Sequence, residues 1–187
     1  LGISEFNQAP MLDGKDLPPV VERLPEDPPV LEPYEEIGKY GGTAVVWDRQ
    51  FGYYETSYWN GWNNFRLTRY TPDSNALPHL IKSWEYSENY KELTVNLRKG
   101  VKWSDGEPFT AEDIMYSWEH DAKNEDLNPV PPEEWKPSLL NVTKNDDFSV
   151  TLHYGRAVPR IHQNLGLGWI GPAHYLKQFH PDFVGEE

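Results

Sequence analysis

The side chains of this 187-residue sequence that could carry chemistry are 30 Asp and Glu, six His and a dense block of aromatic rings; there is no cysteine. Lack of cysteine removes disulfides, thiolate metal sites and thiol nucleophiles together. The histidines are His79, His120, His153, His162, His174 and His180. None forms the His-x-x-x-His or His-Glu-x-x-His spacing that sets two imidazoles on one helical face. His174 and His180 stand six apart across a short predicted helix and its Pro181 stop, so surface or core-edge histidines are expected and no metal site.

The carboxylates lend themselves to simpler roles than acid/base catalysis. Trp103-Ser104-Asp105-Gly106 has the composition of a tight turn, in which Asp and Ser bond their own backbone and Gly takes positive φ. No histidine stands in a nucleophile-elbow or triad context that would activate Ser104. Glu112 and Asp113 fall in the first turn of a predicted helix, where the N-terminal dipole favours anions. Glu133-Glu134 and Asp146-Asp147 are adjacent rather than convergent, as solvated charge is. Gly166-Leu167-Gly168 reads as a C-cap and turn, because no GxGxxG or Walker pattern surrounds it. No catalytic residue and no cofactor are expected.

The aromatic block is where a binding role competes with a structural one. Residues 47–70 hold nine rings in 24 positions, interleaved with Asn60, Asn63, Asn64 and Gly61. Turn-favouring residues among so many rings predict an irregular loop and a short helix. Part of this block is ordinary core. The rest, flat rings beside Asn and Asp, suits an apolar-faced, hydroxyl-rimmed ligand such as an oligosaccharide, or a peptide's side chains.

The elements that must position this block can be read along the chain. Gly41-Gly42 precede a β-branched run, Thr43 to Trp47, that predicts a buried first strand. Ser83–Ser87 and Glu92–Arg98 predict an antiparallel hairpin about a Glu88-Asn89-Tyr90-Lys91 turn. In its second strand Leu93, Val95 and Leu97 alternate with Thr94, Asn96 and Arg98, one face buried and one wet. Thr110 with Asp113 makes a capping box, Phe109 and Ile114 occupy the staple positions, and the helix should run to about Asp121. Phe148 to Tyr154 predicts another half-buried strand. Pro159 and Pro172 start two short helices, the second ended by Pro181. This order is mixed α and β, a small mixed sheet with flanking helices.

The net charge of −13 excludes nucleic acid as a partner, since such a surface repels phosphate backbones. It is also local. Residues 1–40 and 111–147 hold 19 of the 30 acids and only six of the bases, and both stretches are rich in proline. Proline and like charge together predict an extended N-terminal arm over 1–40 and solvated margins elsewhere. No stretch approaches the roughly 18–20 apolar residues of a membrane span. The chain starts at Leu1 without a signal-type sequence, so a processed or chosen N-terminus is expected.

The run LTVNLRKGVKWSDGEPFTAEDIMYSWE, Leu93 to Glu119, resembles the signature region of the family 5 extracellular solute-binding proteins of ABC transporters. GKYGGTAVV, LPHLIKSWEYSENYKELTV and NDDFSVTLHY resemble the same family in the same order, as does LPPVVERLPEDPPVLEP near the start. The resemblance implies a non-enzymatic receptor outside the cytoplasmic membrane, which closes two lobes around a peptide, sugar or metal chelate and delivers it to a membrane permease. It implies the fold class as well: α/β, a partial first lobe of a type II periplasmic binding protein. Residues 41–187 then correspond to an incomplete first lobe, which could pair with itself through exposed surface. In the family the loop after the first strand faces the inter-lobe cleft, so the expected ligand-facing residues are Asp48, Tyr53, Tyr54, Trp59 and Trp62. Two alternatives stand beside this reading. A hydrolase acting on oligosaccharides needs two carboxyl groups roughly 5–9.5 Å apart across a cleft, and a self-contained domain would dock a protein through its aromatic patch.

Overall fold

The computed structural model describes residues 6–30, 33, 36, 42–43, 66–71, 73–130, 136–164 and 170–184. The chain divides into two compact units, Leu1–Asn64 and Phe65–Glu187. In the first unit the described elements are one 3-10 turn, Pro10–Leu12, and one helical turn, α1 (Val20–Arg23), neither of which buries a residue. Prolines and acids leave little apolar surface to bury there. Arg23 Nη2 donates to Gln8 Oε1 at 2.5 Å, joining the two turns. The predicted strand at 43–47 lies outside the described residues beyond Thr43.

The second unit carries two antiparallel sheets. Strands β1 (Thr68–Tyr70) and β2 (Ala76–Pro78) form a small pair. Strands β3 (Ile81–Tyr86), β4 (Glu92–Leu97), β5 (Leu140–Asp146) and β6 (Ser149–Tyr154) form a four-stranded sheet in the order β3-β4-β6-β5. Every described strand pair is antiparallel, within the mixed α and β architecture the sequence predicts. Sequence patterning did not reveal β1, β2 or β5. Two are only three residues long, and Asn141, Thr143, Lys144 and Asn145 mask the apolar alternation of Leu140 and Val142.

Leu93 faces Leu152 and Val95 faces Val150 across the β4-β6 pair. These four, with Leu140 and Val142 of β5, make one buried face. Burying each such side chain fully is worth about 1.5–3 kcal/mol. The opposite face is a polar ladder. Glu92, His153 and Thr143 link across three strands, and Asn96 Nδ2 donates to Ser83 Oγ at 3.0 Å. Two predicted wet positions on β6, Ser149 and Thr151, are in fact buried. β6 is an inner strand, and a bulge in β5 brings the Asn145 amide to both hydroxyls, at 3.1 and 2.9 Å. Arg98 is buried too, where alternation made it wet, because its Nε donates to the His79 carbonyl at 3.0 Å.

The helix forms as predicted. α2 (Ala111–Tyr116) starts with the Glu112 N–H on Thr110 Oγ1 and the Thr110 N–H on Asp113 Oδ2. Phe109 and Ile114 are both buried. The last turns widen over Ser117–Ala122, where the Lys123 N–H bonds the Trp118 carbonyl five residues back. Trp118, 1% exposed, seats this helix on the core shared with the sheet. A 3-10 turn, Ile161–Asn164, follows the sheet. Then come α3 (Ala173–Leu176), a further 3-10 turn (Lys177–Phe179) and α4 (Pro181–Val184). Pro181 ends one turn as expected and also begins the next, its fixed φ suiting a first helical position. No described helix is long and apolar enough to cross a membrane.

Candidate functional site

The five expected ligand-facing residues, Asp48, Tyr53, Tyr54, Trp59 and Trp62, lie outside the described residues. The aromatic block enters the described structure at its C-terminal end, and there it is firmly held. Leu67 is buried, and its carbonyl accepts the N–H groups of His79 and Ile81 at 3.1 and 3.2 Å. Thr68, 1% exposed, donates its hydroxyl to the His162 carbonyl at 3.0 Å. These bonds anchor residues 67–68 within the second unit.

His162 is the hub of this anchor. Its ring stacks on Trp84 with centroids 5.0 Å apart and planes 15° off parallel, and meets Tyr86 edge-on. The Tyr86 hydroxyl lies 2.9 Å from His162 Nδ1 and accepts the His162 backbone N–H at 3.2 Å. Burial pushes the His162 pKa down and the Tyr86 pKa up, which favours a neutral imidazole accepting from a neutral phenol. Both Trp84 and Tyr86 project from β3 on the core side, opposite Val95 and Leu93.

A second polar network ties the end of the unit to the helix. Asp113 and Ser117, one turn apart on α2 and its extension, accept the N–H groups of Ala173 and Gly171, both at 2.9 Å. Asp113 thus fills two roles, a helix cap and a tether sixty residues on, of which only the first is visible in the sequence. On the surface Lys177 reaches Glu112 at 2.9 Å and draws that carboxyl below the usual range. His174 and Asp105 pair at 2.8 Å, which raises the imidazole pKa and lowers the carboxyl. The Trp103-Ser104-Asp105-Gly106 turn is present, with Gly106 at φ 97°. Glu112 is thus engaged in ion pairing and Asp113 in capping and tethering.

Beyond the tether the chain brings together His120, His180 and Asp182. His120 Nδ1 lies 2.8 Å and His180 Nδ1 3.6 Å from Asp182 Oδ2. Motif spacing had no means of finding this group, because His120 and its two neighbours are sixty residues apart in sequence.

The family model described as "Bacterial extracellular solute-binding proteins, family 5 Middle" matches residues 75–185, from the start of β2 to the end of α4. The chain belongs to this family. The members are solute-binding proteins, and the periplasmic alpha-galactoside-binding protein of Rhizobium meliloti (strain 1021) is 36% identical over 194 residues. That match takes in 90% of this chain and 28% of the relative. Among solved structures, an oligopeptide-binding protein OppA aligns with TM-score 0.80 and 35% identity over 98% of this chain and 30% of its own. The periplasmic binding protein MelB of Agrobacterium fabrum C58, solved in complex with stachyose, aligns with TM-score 0.64 and 29% identity over 91% of this chain and 29% of its own. The chain spans less than a third of the length of these relatives.

Proposed function

We propose that this chain is part of the substrate-binding component of an ABC transporter, with residues 1–40 as an extended arm and 41–187 as an incomplete first lobe. It acts in the periplasm or at the outer face of the cytoplasmic membrane, captures an oligosaccharide between two lobes and passes it to a permease, without catalysing a reaction. The observation that carries the sugar reading is the 36% identity, over 90% of the chain, to an alpha-galactoside-binding protein. The stachyose complex of MelB and the rings and asparagines of residues 47–70 support it. An oligopeptide is the second reading, favoured by the alignment with OppA.

Asp48, Tyr53, Tyr54, Trp59 and Trp62 are the ligand-facing residues in this reading. Calorimetry on the natural product of the gene that carries this sequence, titrated with stachyose and separately with a tetrapeptide, tests it. Saturable binding of stachyose is expected, weakened roughly fivefold by either Trp59→Ala or Trp62→Ala through loss of a stacking face worth about 1 kcal/mol. Peptide binding without sugar binding overturns the oligosaccharide reading. The 187-residue chain alone, offering only its own part of the contacts, is expected to bind weakly, since closure draws on differential contact from both lobes. Micromolar binding by the chain alone contradicts this.

A further inference from the structure

We propose that His120, His180 and Asp182 form a binding site for a divalent transition-metal ion of the zinc type. His120 sits on the widened last turns of the α2 helix, and His180 and Asp182 flank the start of α4. One donor atom from each lies within 4.8 Å of the others. Tetrahedral zinc with bonds of 2.0–2.2 Å sets its donors about 3.3 Å apart. The observed 2.8 and 3.6 Å separations from Asp182 Oδ2 straddle that value, and the imidazole nitrogens, within 4.8 Å of each other, close towards it to admit an ion.

The hydrogen bonds already orient the donors. His180 Nε2 lies 3.3 Å from the His120 carbonyl and serves as its donor, while Nδ1 faces the Asp182 backbone N–H at 3.3 Å. Both contacts require the same tautomer, with the proton on Nε2 and the lone pair of Nδ1 accepting the Asp182 N–H, a long bond that an ion at Nδ1 displaces. An imidazole whose far N–H is held by a backbone carbonyl is the usual arrangement of a metal-ligating histidine. His180 is itself only 6% exposed and so is held rigidly, while Asp182 is 60% exposed and leaves the ion accessible. Asp121 interacts electrostatically with both imidazoles and adds nearby negative charge when ionised.

Two imidazoles and one carboxylate prefer zinc, nickel, cobalt or copper to calcium or magnesium, which take all-oxygen sites. Three protein donors leave a fourth position for water or an external ligand. On binding, the ion takes the place of the His120 Nδ1 proton in the contact with Asp182; from a neutral imidazole that proton passes to Nε2, and from an imidazolium it is released to solvent.

Zinc titration of the tag-free chain by calorimetry, with cobalt absorption as a second readout, tests the site. One ion per chain is expected, with a raised melting temperature and the intense visible bands of four-coordinate cobalt. Asp182→Asn and His120→Gln should each weaken binding by at least about tenfold, the scale on which metal sites respond to loss of supporting groups. Both positions are solvent-accessible, and the metal-free melting temperature of each variant shows that it folds. The double variant His153→Gln/His174→Gln, which removes two other carboxylate-paired imidazoles, should bind zinc as the parent does. No saturable binding overturns the site, as does binding that survives His120→Gln and Asp182→Asn or is lost in the control.

Discussion

His162 and His120 belong to the same compact unit and live by opposite rules. His162 is enclosed by Trp84 and Tyr86, its ring nitrogen faces a phenol, and burial holds its pKa down. His120 is partly exposed, pairs with Asp182 at 2.8 Å and has a second imidazole at 5.1 Å between ring centroids. Neutral, apolar neighbours remove the proton and make a histidine a structural fitting. A carboxylate neighbour gives the ring a polar partner that a cation could share. The side chain is the same, and its partners, delivered by the fold, decide what it does.

The largest expected effect is one that takes both regions down together. Trp118→Ala empties the core that the helix shares with the sheet and should cost about 3–5 kcal/mol in urea denaturation. Loss of both the stacked His162 environment and the His120-Asp182 pair should follow, seen in the imidazole resonances.

Asp113→Ala separates the two. It strips the cap of α2 and leaves the Ala173 N–H unpaired in a buried position, a combined cost of about 2–4 kcal/mol. Amide exchange should rise over 170–184, which carries His180 and Asp182, and stay low around His162. Equal loosening of both regions contradicts the tether.

Tyr86→Phe acts on the other side. It removes the hydroxyl that meets His162 Nδ1 and accepts its N–H, and should cost about 1–2 kcal/mol without changing the His120-Asp182 pair.

The two kinds of histidine also predict opposite pH responses. His162, depressed in the fold, contributes full stability above the ordinary histidine pKa, and that stability falls as pH drops from there towards the depressed value. His174, raised by Asp105, contributes below the ordinary histidine pKa and loses its contribution as pH rises through the raised value. Asp105, lowered by the same contact, contributes above the ordinary carboxylate pKa and loses it as pH falls through the lowered one. Proton-detected histidine titrations should therefore place His162 below and His174 above the free imidazole; the reverse order contradicts the assignment.

The smallest effect is Asp105→Asn. The pair is exposed and screened, so the melting temperature should barely move, while the His174 titration should return towards its ordinary value. A large loss of stability contradicts the reading of a surface pair.

The local elements were largely legible from the residues. The capping box of Thr110 and Asp113 and the staple of Phe109 and Ile114 act between residues three to five apart, so sequence alone specifies them. The alternation of Leu93, Val95 and Leu97 likewise names the buried face of β4, because a strand repeats every two residues. Patterning failed where a neighbour rather than a period sets the environment. Ser149, Thr151 and Arg98 read as wet yet are buried, each with a hydrogen-bond partner from another strand or connection. The expected ligand loop lies outside the described residues, and the bond of Thr68 to His162 spans 94 positions with no local signal.

The sequence by itself determined the capped helix, the hairpin and the family, all of which follow from short-range spacing or from long runs of matching residues. Only the tertiary structure decided that Asp113 holds Ala173, that Tyr86 and Trp84 enclose His162, and that His120 meets His180 and Asp182. Those contacts join residues sixty or more apart, and no periodicity encodes them. They arise when the helix and the terminal turns are closed onto one core, where hydrogen-bond geometry then selects the partners.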